Sequence, residues 1–161
     1  MSMFMSFDAF GMLPGINAAV ENVVNAITWG PWEYNRAFIV PTLLDGAARD
    51  LGNSPTTLLR PGLIMGITKT TKQAIPYSHL GVGGVETLYG VLLYDTKVVG
   101  SDGADYDRWF GYILVGGNVK ANALIYGVAA STPGSWIGGV QDATIRALFA
   151  NRFILDDQFW A

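Results

Sequence analysis

LRPGLIMGITKTTKQAIPYS, residues 59–78, decides how the chain is to be read. Gly62 and Gly66 stand four apart around an apolar run, a threonine- and lysine-rich segment follows, and Pro76-Tyr77 closes the stretch. A phosphate-binding reading fails on spacing. Neither this segment nor GVGG at 81–84 is G-x-G-x-x-G, and neither carries the lysine of a phosphate loop or leads clearly into a long helix. The apolar runs have strand length and are bounded by glycine and turn-forming residues. The stretch therefore predicts two strands, 63–68 and 74–77, with glycines that let a buried strand bend.

Working outward, residues 37–40, 87–94, 109–115 and 119–121 read as further strands, short and rich in Ile, Val, Leu and Tyr. Gly116-Gly117 between YILV and NVKA predicts a two-residue hairpin turn, because glycine accepts positive φ without steric cost. Past the glycine-rich connector 131–139, Asp142 reads as the N-cap of a short helix with Ile145, Leu148 and Phe149 on its apolar stripe. The expected fold is mainly β with some α. It is a small antiparallel β-barrel or sandwich spanning 36–161, with one short C-terminal helix and an extended N-terminal arm, 1–35.

Composition narrows the function classes. At 50% hydrophobic and 14% charged, with 20 glycines, the chain is too apolar for disorder and too glycine-rich for a helical bundle. The net charge of −3, with no two cations adjacent, lacks the clustered charge that nucleic acid requires. No apolar run approaches the ~18 residues of a membrane span. The N-terminus reads as retained, because its first cation is Arg36 and no cleavage site follows an apolar core. Without cysteine there is no disulfide, thiol catalysis or thiolate metal site.

The arm opens with MSMFMSFDAFGML, and its anchors are Phe4, Phe7, Phe10, Met12 and Leu13. Ile16, Ala19, Val20, Val23, Val24 and Ile27 then fall at helical spacing with Asn17, Glu21, Asn22 and Asn25 opposite, which predicts an amphipathic helix over about residues 16–28. Trp29 and Trp32 follow it. Burying such side chains roughly repays the entropy of ordering the segment. A real gain requires a partner surface, and several arms on one assembly multiply it.

Candidate chemistry is sparse. His79 is the single histidine and sits in a turn-like stretch beside Ser78, where adjacent residues cannot form a catalytic dyad, so it reads as a loop histidine. Asp102, Asp105 and Asp107 form an oxygen-rich loop that could hold calcium, but it lacks the D-x-D-x-D-G spacing and the closing glutamate. The residues suggest no catalytic group and no cofactor. A calcium- or carbohydrate-binding β module is the alternative reading.

RPGLIMGITKTTKQAIPY, with its Gly62/Gly66 step, its threonines between Thr68 and Thr71, and Pro76-Tyr77, resembles the lambda-type head decoration proteins of tailed bacteriophages. GVLLYD at 90–95, YILVGGNVKANAL at 112–124 and DATIRALFANRFIL at 142–155 resemble further family blocks, in family order. The resemblance implies a mostly β domain that forms homotrimers on the outer face of the virion at local three-fold positions. There it cements the major capsid protein after head expansion, with no catalysis, no cofactor, no nucleic acid and no membrane. Lys72 stands where relatives usually have a turn glycine, and Ala74 where an aromatic is common. The arm is longer and more apolar than is typical, so it could grip the capsid or a neighbouring decoration subunit.

Overall fold

A computed structural model describes Ile27 and residues 38–100, 102–105, 110–126 and 132–159. The strands are β1 Phe38–Leu43, β2 Leu58–Leu59, β3 Ile64–Ile67, β4 Ala74–Pro76, β5 Leu88–Leu92, β6 Thr96–Lys97, β7 Phe110–Val119 and β8 Phe153–Leu155. A 3-10 turn spans Ala121–Ala123, and helices α1 Asp142–Phe149 and α2 Asp156–Phe159 flank β8. The main sheet has the order β1-β7-β5-β3-β4 with every neighbouring pair antiparallel. β2 and β6 form a separate ribbon.

The sheet closes on itself. β1 runs on into Leu44, which bridges Ala74 of β4, and the Asp45 N–H donates to the Ala74 carbonyl at 3.0 Å. Successive side chains on a strand point to opposite faces. Each central strand accordingly splits an adjacent apolar pair between two clusters. Met65, Leu92 and Ile113 join Leu44 and Ala74 inside the barrel, while Ile64, Val91 and Leu114 pack outside it beneath Phe149, Phe153 and Trp136. Burial on both faces explains why these strands read as continuous apolar runs instead of alternating ones. The expected mainly β, α+β barrel with a short helix near its C-terminus is the observed fold.

Three local expectations are corrected. Gly116-Gly117 does not turn the chain: β7 runs unbroken through both, antiparallel to β1 up to Gly116 and parallel to β8 from Gly117 to Val119. The glycines serve a close approach, since the Arg152 carbonyl accepts from Gly117 N–H at 3.1 Å, Gly117 sits at φ 132°, and a Cβ on Gly116 would press on that carbonyl. The strand expected at 119–121 ends at Val119 and becomes the 3-10 turn. Asp142 lies in the first turn of α1, not at its N-cap, which is Gln141. There its carboxylate accepts from Gly138 N–H at 2.7 Å and Arg146 Nε at 2.5 Å.

β1 also outlasts its expected end at Val40, passing through Pro41. Proline is tolerated where the missing N–H faces away from the ladder, as on a strand paired on one side. The same proline blunts the outer edge of β1 against strand addition.

Candidate interaction surface

Of the arm, Ile27 alone is described. It is helical and buried in the outer cluster, and its carbonyl accepts from Lys120 N–H at 2.6 Å. The rest of the predicted helix and the anchors Phe4, Phe7, Phe10, Met12, Leu13, Trp29 and Trp32 lie outside the described residues. Ile27 shows that the arm is at one point part of this chain's own core.

The glycines of the opening stretch are structural. Gly62 sits at φ 87° in the turn before β3, donates to the Leu92 carbonyl at 2.7 Å and accepts from Ile125 N–H at 2.8 Å. A Cβ there would land on the Ala123 carbonyl, so the turn admits glycine alone. Gly66 lies within β3 where the register against β5 shifts, with the Val85 carbonyl crowded against it. The bend expected of it is present as this irregularity.

Among the charged candidates, Asp105 is committed to Arg49 at 2.6 Å, and Asp102 Oδ1 accepts from Ala104 N–H at 3.1 Å in a local turn. Asp107 lies outside the described residues. Among the described residues no group of three or more His, Asp or Glu side chains is placed to hold a metal ion. His79 Nδ1 is 2.8 Å from the Tyr126 hydroxyl, which ties its loop to the segment after Ile125. Tyr126 in turn packs on Tyr77, whose phenol pKa is pushed up chiefly by burial, with Tyr126 and Glu86 adding to it. No helix among the described residues is long and apolar enough to cross a membrane.

What the site reading missed is apolar surface at both ends of the barrel. At the end where β5 finishes and β7 begins, Tyr94, Thr96, Lys97, Val99, Phe110 and Tyr112 line an open groove of about 480 Å³. Tyr94 and Tyr112 meet edge to face, 5.7 Å apart at 79°. Burial, with Tyr112 second, raises the Tyr94 phenol pKa. Phe110 is 60% exposed and Tyr112 43%. At the opposite end, the loop from β4 to β5 presents Leu80 at 83% exposure and Val82 at 85%. Its base is fixed by Ser78 N–H to Val85 carbonyl at 3.1 Å and Lys69 N–H to Gly83 carbonyl at 2.7 Å. The available signal was Leu and Val set singly between turn residues in SHLGVGG, where a purely connecting loop would be polar.

No protein-family model matches the chain, and no curated protein matches it.

Proposed function

We propose that the protein is a structural virion component. It is a decoration or cement protein that binds the outer surface of an expanded phage head at three-fold sites as a homotrimer and stabilises it against internal pressure. The observation that carries this reading is the coexistence of a filled two-cluster core with large apolar side chains left in solvent at both ends of the barrel. Leu80, Val82 and Phe110 are not needed to complete the fold, and apolar groups grouped this way mark contact with other macromolecules. The sequence blocks that resemble those of the lambda-type family support the same reading, and the arm's sequence adds further large apolar residues, among them Phe4, Phe7 and Phe10. The mechanism is buried area multiplied by valency, with no chemical step.

Ile27, the one described residue of the arm, is anchored beside Lys120, at the far end of β7 from the Phe110 groove. Co-sedimentation of the full chain with expanded and unexpanded heads tests the proposal. Saturable binding to expanded heads alone is expected, and absence of binding to expanded heads would contradict it.

A further inference from the structure

We infer that Asp102 is a site of spontaneous backbone modification, where its carboxyl and the Gly103 amide of the folded chain close to a succinimide that reopens as isoaspartate. The chain holds two Asp-Gly steps, Asp45-Gly46 and Asp102-Gly103, and no Asn-Gly. Glycine after aspartate favours the ring, because no side chain shields its nitrogen or restricts the rotation that brings it to the carboxyl carbon. The inference stands apart from the decoration reading and holds whatever surface the protein binds.

Asp102 and Gly103 lie at the tip of the loop after β6, closed by the Val99–Asp105 bridge and by Gly100 N–H donating to the Ala104 carbonyl at 2.9 Å. Residues 102–105 are all exposed. Asp102 Oδ1 accepts from Ala104 N–H at 3.1 Å, so the side chain is already folded over the Gly103 peptide, whose nitrogen is the nucleophile. Gly103 sits at φ 79° with nothing within 4 Å of where a Cβ would stand. Its N–H donates to the Gly100 carbonyl at 3.1 Å, a turn bond at an exposed tip that opens at little cost. Asp45-Gly46 has the same local turn, Ala47 N–H to Asp45 Oδ1 at 2.8 Å, in the opposite setting. Gly46 is buried. Asp45 N–H holds the Ala74 carbonyl where the barrel closes, the Asp45 carbonyl accepts from Ala48 N–H at 2.9 Å, and Arg49 Nη1 donates to the Gly46 carbonyl at 2.8 Å. Turning this peptide toward the carboxyl would break those bonds. The fold protects one step and leaves the other open.

The step needs water alone. With the carboxyl protonated, the Gly103 nitrogen gives up its proton and bonds to Cγ of Asp102, the Cγ–OH bond breaks, and one water leaves. The five-membered ring then takes up one water. Opening at Cγ restores aspartate, whereas opening at the α-carbonyl leaves the chain running through Cγ, with a free α-carboxylate and no net change in mass or oxidation state. The main chain gains one methylene between Gly100 and Ala104, at the rim of the groove that Val99 and Gly100 help to line. The same loop is tied to the segment after β1 by the Asp105–Arg49 ion pair at 2.6 Å, which the longer backbone slackens.

The test ages the full chain for weeks at neutral pH and body temperature, folded in buffer and unfolded in guanidinium, and digests samples with trypsin. Cleavage after Lys97 and Arg108, and after Arg36 and Arg49, puts the two steps on separate peptides, 98–108 and 37–49. Isoaspartate is read as a second chromatographic peak of equal mass, located by fragmentation, and as methyl acceptance from a protein isoaspartyl methyltransferase. In the folded chain, peptide 98–108 is expected to convert at Asp102 at least about tenfold faster than 37–49 converts at Asp45, which must first open its protected segment. In guanidinium the two are expected to convert at similar rates. Asp102→Glu, which would need a six-membered ring, is expected to fold as wild type and to abolish the second 98–108 peak. Equal conversion of both peptides in the folded chain would overturn the proposal. So would conversion at Asp102 in guanidinium but not in the folded chain, or a second 98–108 peak unchanged in Asp102→Glu.

Discussion

Arg60 clasps Asp50 with two donors: Nε reaches Oδ2 at 2.6 Å and Nη2 reaches Oδ1 at 2.8 Å, and the carboxylate is fully buried. The backbone N–H groups of Gly52 and Arg60 also donate to it, each at 3.3 Å. The pair pins the segment between β1 and β3 immediately before the Pro61-Gly62 turn that starts the signature stretch. The guanidinium pKa is raised, first by its hydrogen bonds to Asp50.

Removing the cation alone leaves a buried charge without its partner. Arg60→Met is expected to lower unfolding free energy by ~3–5 kcal/mol in urea titration. The double variant Asp50→Asn/Arg60→Met should lose less than Arg60→Met, because no charge is then stranded. A cost below about 1 kcal/mol for Arg60→Met would show that the pair does not hold this segment.

Lys72 is, among the described residues, the non-glycine residue held at positive φ, 59°. A side chain in this left-handed region costs ~1–2 kcal/mol, offset in part by the extra entropy a glycine loses on folding. Lys72→Gly is expected to stabilise the protein by about 0.5–1 kcal/mol, seen as a higher thermal midpoint. An unchanged or lower midpoint would contradict the strained turn.

Gly62→Ala runs the other way. Both the positive φ and the Ala123 carbonyl oppose a Cβ, so a loss of at least ~2 kcal/mol in denaturant unfolding is expected. A near-neutral result would mean that the turn relaxes without cost.

Arg146 joins α1 to α2, donating to Asp157 through Nη1 at 2.8 Å and Nη2 at 2.7 Å while its guanidinium lies 5.3 Å from the Trp136 ring centre. The hydrogen bonds to Arg146 hold the Asp157 carboxyl below its usual value of 3.8, against an opposing push from partial burial. A depressed folded-state pKa contributes stability that is present above the unfolded value and is lost as pH falls through the folded one. Asp157→Asn should therefore lower the thermal midpoint at pH 6, and the gap to wild type should shrink as pH drops below about 4. A gap that persists unchanged at pH 2 would assign the effect to something other than this ion pair.

The sequence carried the barrel further than it carried its details. Runs such as Leu63-Ile64-Met65 and Ile113-Leu114 announced strands, though not that both faces would be buried, and Gly62 announced a structural glycine, though not that the Ala123 carbonyl would exclude a side chain there. Gly116-Gly117 misled because glycine pairs signal both a hairpin and a close parallel neighbour, and only the distant Arg152 carbonyl decides between them. The two-residue ribbon of β2 and β6 left no periodic pattern. Leu80, Val82 and Phe110 escaped notice because exposure is a tertiary property, and an apolar residue in sequence does not declare which side of the fold it faces.

The central claim, that this chain cements a capsid through its apolar arm, is tested most directly by deleting residues 1–13 and measuring binding to expanded empty capsids alongside the full chain. The account predicts saturable binding by the full chain and its loss in the truncated chain, with the latter still self-associated. Undiminished binding by the truncated chain would contradict the role of the arm, and failure of the full chain to bind would contradict the function itself.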